Sequence, residues 1–116
     1  MAEFRLAAPA DAQLGDILAW SIQQFGAPAQ RRYAGLLADA MQDVADNPRR
    51  PAIVWHPVAG QRLGVYRPPG PAGEPRHYLV LRLGADGVVE ILGFIPDGEL
   101  QRRALQRVLR AGAARA

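Results

Sequence analysis

The chain contains no cysteine, no lysine and no threonine, and its only serine is Ser21. Without cysteine there is no disulfide, no thiolate metal ligand and no cysteine nucleophile, a composition that fits a reducing compartment. With threonine absent and Ser21 inside an expected helix, a hydroxyl nucleophile is disfavoured too. The two histidines, His56 and His77, are not at ligand spacing, so neither a metal nor a cofactor is expected. No apolar run approaches the ~20 residues of a membrane span. The opening MAEFRLAAPADAQ has acids and a proline where a signal peptide has a basic end and an apolar run. The expectation is a soluble, cytoplasmic protein without membrane contact.

At 116 residues the chain has room for one domain with its own core. Residues 1–96 carry nine arginines and nine acids. Arg102, Arg103, Arg107, Arg110 and Arg115 stand against only Asp97 and Glu99, so the tail holds the whole formal charge of +3. All the basic side chains are arginine in a chain rich in Ala, Gly and Pro, which reads as compositional bias rather than phosphate recognition. Direct sequence-specific nucleic-acid binding is therefore not expected.

The segment His77–Asp97, HYLVLRLGADGVVEILGFIPD, has the clearest local pattern. Two runs rich in Leu, Val and Ile flank Asp86-Gly87, a turn dipeptide that tolerates positive φ, and predict a β-hairpin. Strict alternation puts His77, Leu79, Leu81 and Leu83 on one face and Tyr78, Val80 and Arg82 on the other. On the second strand it sets Val88, Leu92 and Phe94 against Val89, Ile91 and Ile95. Both faces are largely apolar, so each needs a cover.

Earlier in the chain, Glu3–Leu6 predicts a short strand. Pro9 opens a helix with Leu14, Ile17, Leu18, Ile22 and Phe25 on one face, closed by Gly26. Pro28 opens a second helix with Tyr33, Leu36, Leu37, Ala40, Met41 and Val44 in register, stopped at Asn47-Pro48. The short link makes the two an antiparallel hairpin, a natural cover for one sheet face. Prolines 48, 51 and 57 predict irregular chain up to Gly60, including Trp55 and His56. Arg62–Arg67 reads as a strand and Pro68–Pro75 as a long mobile connection. Asp97 is placed to cap a last helix with a stripe of Leu100, Ala104, Leu105, Val108 and Leu109, with fraying past Gly112. The arginines of that helix either contact nucleic acid or, more simply, face water while the stripe covers the second sheet face. The predicted fold is α+β: an N-terminal strand, an antiparallel helical hairpin packed on a small antiparallel sheet formed by a three-strand meander, and a C-terminal helix.

Across about residues 4–97 the order of elements and local motifs resembles the RelE/ParE superfamily of toxins from type II toxin-antitoxin systems, the ParE branch most. The resemblance rests on Ala10, Leu14, Ile17 and Leu18 in the first helix; Gln24-Phe25-Gly26, Ala29, Tyr33 and Leu37; Asp46-Asn47-Pro48; and His77, Arg82, Asp86-Gly87, Glu90-Ile91-Leu92 and Asp97. It implies a toxin domain over 1–97, with 98–116 an Arg-rich helix and tail of the same domain. It also implies a cognate ParD-like antitoxin with a ribbon-helix-helix half, and DNA gyrase as a target inhibited by protein contact. RelE-type members instead cut messenger RNA on the ribosome, the alternative reading. Leu81 and Pro96 stand where the family has an aromatic residue and a histidine, which leaves an inactive toxin-fold interaction protein as a third.

For RNA cleavage, strands could bring Arg62, Arg67 and Arg82 into a phosphate-binding cluster, with Tyr66 beside it and His77 as acid or base. The simpler reading makes Arg67 and His77 solvated strand ends and pairs Arg82 with Glu90 across the hairpin. No Tyr or Lys follows residue 78, so the nuclease set is incomplete. As a binding protein, the expected contact residues are Trp20, Tyr66, Tyr78, Arg82 and Phe94.

Overall fold

The computed structural model describes residues 1–71 and 75–113. The chain runs β1 (Phe4–Leu6), α1 (Ala8–Phe25), α2 (Ala27–Asp46), β2 (Val54–Val58), β3 (Gln61–Tyr66), β4 (His77–Leu83), β5 (Val89–Pro96) and α3 (Arg102–Ala113). Pro9 and Asp11 occupy the first turn of α1, and Gly26 alone separates α1 from α2. At φ 87° Gly26 donates its N–H to Ile22 O and accepts at its carbonyl from Gln30 N, so one residue closes one helix and opens the next.

The fold is α+β with three helices and one five-stranded mixed sheet, ordered β1-β5-β4-β3-β2. Strands β2 to β5 form an antiparallel meander of four strands, and β1 lies parallel to β5. The expected three-strand meander is therefore one strand too short, and the missing strand is β2, in the stretch expected to be irregular. Two features hid it. Pro57 sits in an edge strand, where a missing N–H is tolerated. The β2–β3 turn uses Ala59 (φ 49°) and Gly60 (φ 79°), a two-residue turn with both residues left-handed, but Ala stands where Asn or Asp would signal it.

Helices cover both faces of the sheet. On one side α1 and α2 bury Ile17, Tyr33, Leu37, Met41 and Val44 against Tyr66, Leu79, Leu81, Val89, Ile91 and Phe94. On the other, α3 buries Ala104, Leu105, Val108 and Leu109 against Val58, Leu63, Val65, Val80, Leu92 and Ile95. The two-sided apolar hairpin thus finds both covers within the chain. Helix α3 begins later than Asp97, whose carboxylate pairs with Arg67 instead of capping the helix.

Strict alternation fails along β5. Val80 pairs with Gly93 but Leu81 pairs with Ile91, so Leu92 is an extra residue in a β-bulge. The bulge reverses the phase after it: Val89, Ile91 and Phe94 face α1 and α2, while Leu92 and Ile95 face α3. Short β1 leaves the outer edge of β5 open beyond Ile91. Gln13 of α1 closes it, its Oε1 accepting from Phe94 N at 3.0 Å and its Nε2 donating to Phe94 O at 3.2 Å. Of the long Pro68–Pro75 connection, Pro68 is fully buried. Its stretch 72–74 and the fraying expected at 114–116 lie outside the described residues.

Candidate functional site

The exposed aromatic side chains gather at the corner where α1 turns into α2. Trp20 is 41% exposed, Ile22 41% and Phe25 48%. All three lie on the last two turns of α1, which run past the sheet; the buried positions of α1 are Ala10, Ile17 and Ser21. Trp20 meets Phe25 edge-on, with ring centroids 5.6 Å apart. The Arg76 guanidinium lies over the Phe25 ring at 4.4 Å, a cation-π contact.

Arg76 is held there by its backbone. Its N–H donates to the buried Tyr33 hydroxyl at 2.9 Å, and its carbonyl accepts from Asp97 N at 2.7 Å. The same hydroxyl lies 2.9 Å from His77 Nδ1. The Tyr33 hydroxyl thus ties the start of β4 to α2 through Arg76 N–H and the His77 ring. Burial, reinforced by the Arg76 charge and only partly opposed by Glu99, pushes the His77 pKa below its usual 6.5. At neutral pH the ring is uncharged.

Beside this corner, Arg67 bonds Asp97 at 3.1 Å and the Tyr78 hydroxyl at 3.3 Å, and lies over the Tyr78 ring at 5.5 Å. These contacts raise the Arg67 pKa further. A cavity of about 400 Å³ lies between the corner and the strand ends, lined by Trp20, Arg76, His77, Pro96 and Asp97. Its lining is aromatic and carries the Arg76 guanidinium, which no acid pairs among the described residues, and the Asp97 carboxylate, which Arg67 already holds. Such a surface receives carboxylates and peptide carbonyls over an apolar anchor.

The expected phosphate cluster does not assemble. Arg67 and His77 lie at this end of the sheet; Arg62 and Arg82 lie at the other, about 16 Å away at the rise of a strand. Those two start from opposite faces of the sheet but line one cavity of about 700 Å³ at its end, together with Arg49 and Trp55. Arg62 is over the Trp55 ring at 5.2 Å on the α1–α2 side. Arg82 is on the α3 side, bonded to Glu90 at 3.1 Å and Gln61 at 2.8 Å. His56 and His77 likewise face opposite sides of the sheet. Ser21 is buried within α1.

Of the expected contact residues, Trp20 and Tyr78 belong to the corner and its flank. Tyr66 and Phe94 require correction: both are core side chains beneath α1 and α2, 3% and 2% exposed, and offer a partner no surface. Burial accordingly raises the Tyr66 pKa. Sequence reasoning missed Phe25, Arg76 and the Tyr33 hydroxyl. Phe25 and Tyr33 fit the helical stripes and read as core, and Arg76 follows a proline-rich connection with nothing in its neighbours to single it out. A cluster built by the crossing of a helix corner and two strand ends leaves no local spacing signal. No family model matches the chain, and no curated protein matches it.

Proposed function

We propose that this chain is a toxin subunit of the RelE/ParE type that works by protein contact, inhibiting DNA gyrase in the bacterial cytoplasm. In this reading a co-encoded ParD-like antitoxin neutralises it. Trp20, Phe25 and Arg76 are the anchors of the contact surface, with His77 and the Arg67–Tyr78–Asp97 group as its polar flank. The observation that carries the reading is this exposed aromatic–arginine corner. Trp and Arg in a pre-formed cluster are the side chains most often found to dominate binding energy. Arg76 is also positioned through its backbone, so little ordering cost remains on binding.

Two further features support it. The chain order, a strand, a helical hairpin over one face, an antiparallel meander and a last helix, follows the order read from the sequence with one strand more. Of the three arginines a nuclease would use, Arg67 and Arg82 are each engaged by an acid, while Arg62 lies over Trp55. Because α3 already covers the second sheet face, an antitoxin segment binds elsewhere, and the corner offers it exposed aromatic anchors. The test is induced expression in a bacterial host. Growth arrest without cleavage of translated messenger RNA, relieved by co-expression of the adjacent antitoxin gene, is expected. Unimpaired growth would overturn the proposal, and arrest accompanied by cleavage at ribosomes would replace it with the ribonuclease reading.

A further inference from the structure

Helix α3 is divided lengthwise. Ala104, Leu105, Val108 and Leu109 are buried on the sheet, while Arg102, Arg103, Arg107 and Arg110 are exposed. At 3.6 residues per turn Arg103, Arg107 and Arg110 fall within about 60° of the helix circumference and extend along about 10 Å of its axis. None of the four arginines makes an ion pair within the described residues, and the helix carries no acid. Arg5, Arg67 and Arg82, by contrast, are each held by a carboxylate.

We infer that the arginine row of α3 binds the phosphate backbone of duplex nucleic acid without sequence preference. The inference is independent of the proposed function, since it rests on a different face of the molecule. Three features select this partner. The apolar face of α3 is already buried, so the helix cannot insert into a lipid surface. The exposed large hydrophobic side chains are Met1, Trp20, Ile22, Phe25, Val54 and Leu83, none of them on α3, so an acidic peptide finds no apolar anchor beside the charges. The arginine row has no aromatic residue on which unpaired bases could stack, which favours a duplex over a single strand. Along about 10 Å a duplex presents about six phosphate charges, enough for every arginine of the row, and the guanidinium fork matches phosphate oxygens.

The experiment is fluorescence anisotropy of the full chain with a labelled 20-base-pair DNA of arbitrary sequence, titrated at a series of salt concentrations. Three or four arginines predict a slope of log affinity against log salt near −3 to −4, or about 40- to 150-fold weaker binding on going from 50 to 200 mM. Arg103→Gln with Arg107→Gln and Arg110→Gln should reduce the slope to about −1 with far-UV circular dichroism unchanged. Each single variant should lower its magnitude by about 0.9, which keeps the test valid if the triple variant fails to fold. Arg31→Gln with Arg32→Gln, an exposed basic pair on α2, should leave the slope as it is. No binding at 50 mM, a slope indifferent to the α3 substitutions, or equal affinity for a poly-glutamate peptide of the same charge would overturn the inference.

Discussion

Replacing Gly93 by alanine tests the joint at which α1, β5 and α3 meet. A Cβ at residue 93 would lie 2.8 Å from Gln13 Oε1 and 3.2 and 3.5 Å from the two methyls of Val108. The Gln13 side chain can swing away only by giving up both bonds to the Phe94 backbone. Val108 can retreat only by lifting α3 from the sheet, because it is itself a core residue. Overpacking a tight site costs about 1–3 kcal/mol, and each lost hydrogen bond about 1 kcal/mol. The expected loss is therefore about 3–4 kcal/mol if Val108 must give way as well, and about 2 kcal/mol if Gln13 alone moves. In urea, with an m-value of about 1.5–2 kcal/mol/M, the larger loss is a midpoint shift of about 2 M. Gln13→Ala should cost about 1–2 kcal/mol alone and should relieve part of the Gly93→Ala penalty, giving a coupling of about 1 kcal/mol in the double-mutant cycle. A midpoint shift of Gly93→Ala below about 0.3 M, or strict additivity of the two substitutions, would refute the packing described for this joint.

The other predictions concern the cover on the second sheet face and the response to pH. Leu105→Ala empties a fully enclosed position between α3 and the sheet and should cost about 2–5 kcal/mol in urea unfolding; a cost under 0.5 kcal/mol, about that of a surface change, would mean α3 is not docked. His77 has its pKa depressed in the folded protein, so between that value and 6.5 the unfolded chain binds more protons. Its contribution is constant above pH 6.5 and stability falls as pH drops below it. His77→Asn, whose amide can donate to or accept from Tyr33, should flatten the pH dependence of the melting temperature between pH 6.5 and 5, and an unchanged slope would count against the buried neutral imidazole. Asp86 titrates in a separate window: Arg5 and the Val88 N–H hold its pKa down to about 2, so its contribution is present above 3.8 and is lost between 3.8 and 2. Asp86→Asn should lower stability above pH 3.8 and remove the loss between 3.8 and 2.

The parts of the fold written in local periodicity were legible. The second N-terminal helix follows its stripe, the first follows its own only as far as Leu18, the two stop at Gly26 and Asn47, and the β4–β5 hairpin turns where Asp86-Gly87 indicates. The surplus of apolar residues on both hairpin faces correctly demanded two covers, and α3 supplies the second. What escaped depends on long-range partners. Pro57 breaks a central strand but not an edge one, and only the sheet order reveals which β2 is. The bulge at Leu92 depends on the register with β4, so Phe94 and Ile95 exchange the faces that alternation assigned them. The candidate surface was the least legible. Trp20 stood out because it falls off the stripe, but Phe25 lies on the stripe and is exposed only because the end of α1 runs past the sheet. Arg76 acquires its place from Tyr33 and Asp97, 43 residues before it in one case and beyond a whole hairpin in the other.

A titration of gyrase-catalysed supercoiling with the purified chain tests the central claim most directly. Wild-type protein should inhibit supercoiling in a dose-dependent way. Trp20→Ala with Phe25→Ala, two exposed positions whose loss leaves the core intact, should shift the inhibition curve by at least tenfold, the effect of losing about 1.4 kcal/mol or more of contact energy. Supercoiling unaffected by wild-type protein would contradict the account, and inhibition by the double variant equal to that of wild type would remove the aromatic corner from it.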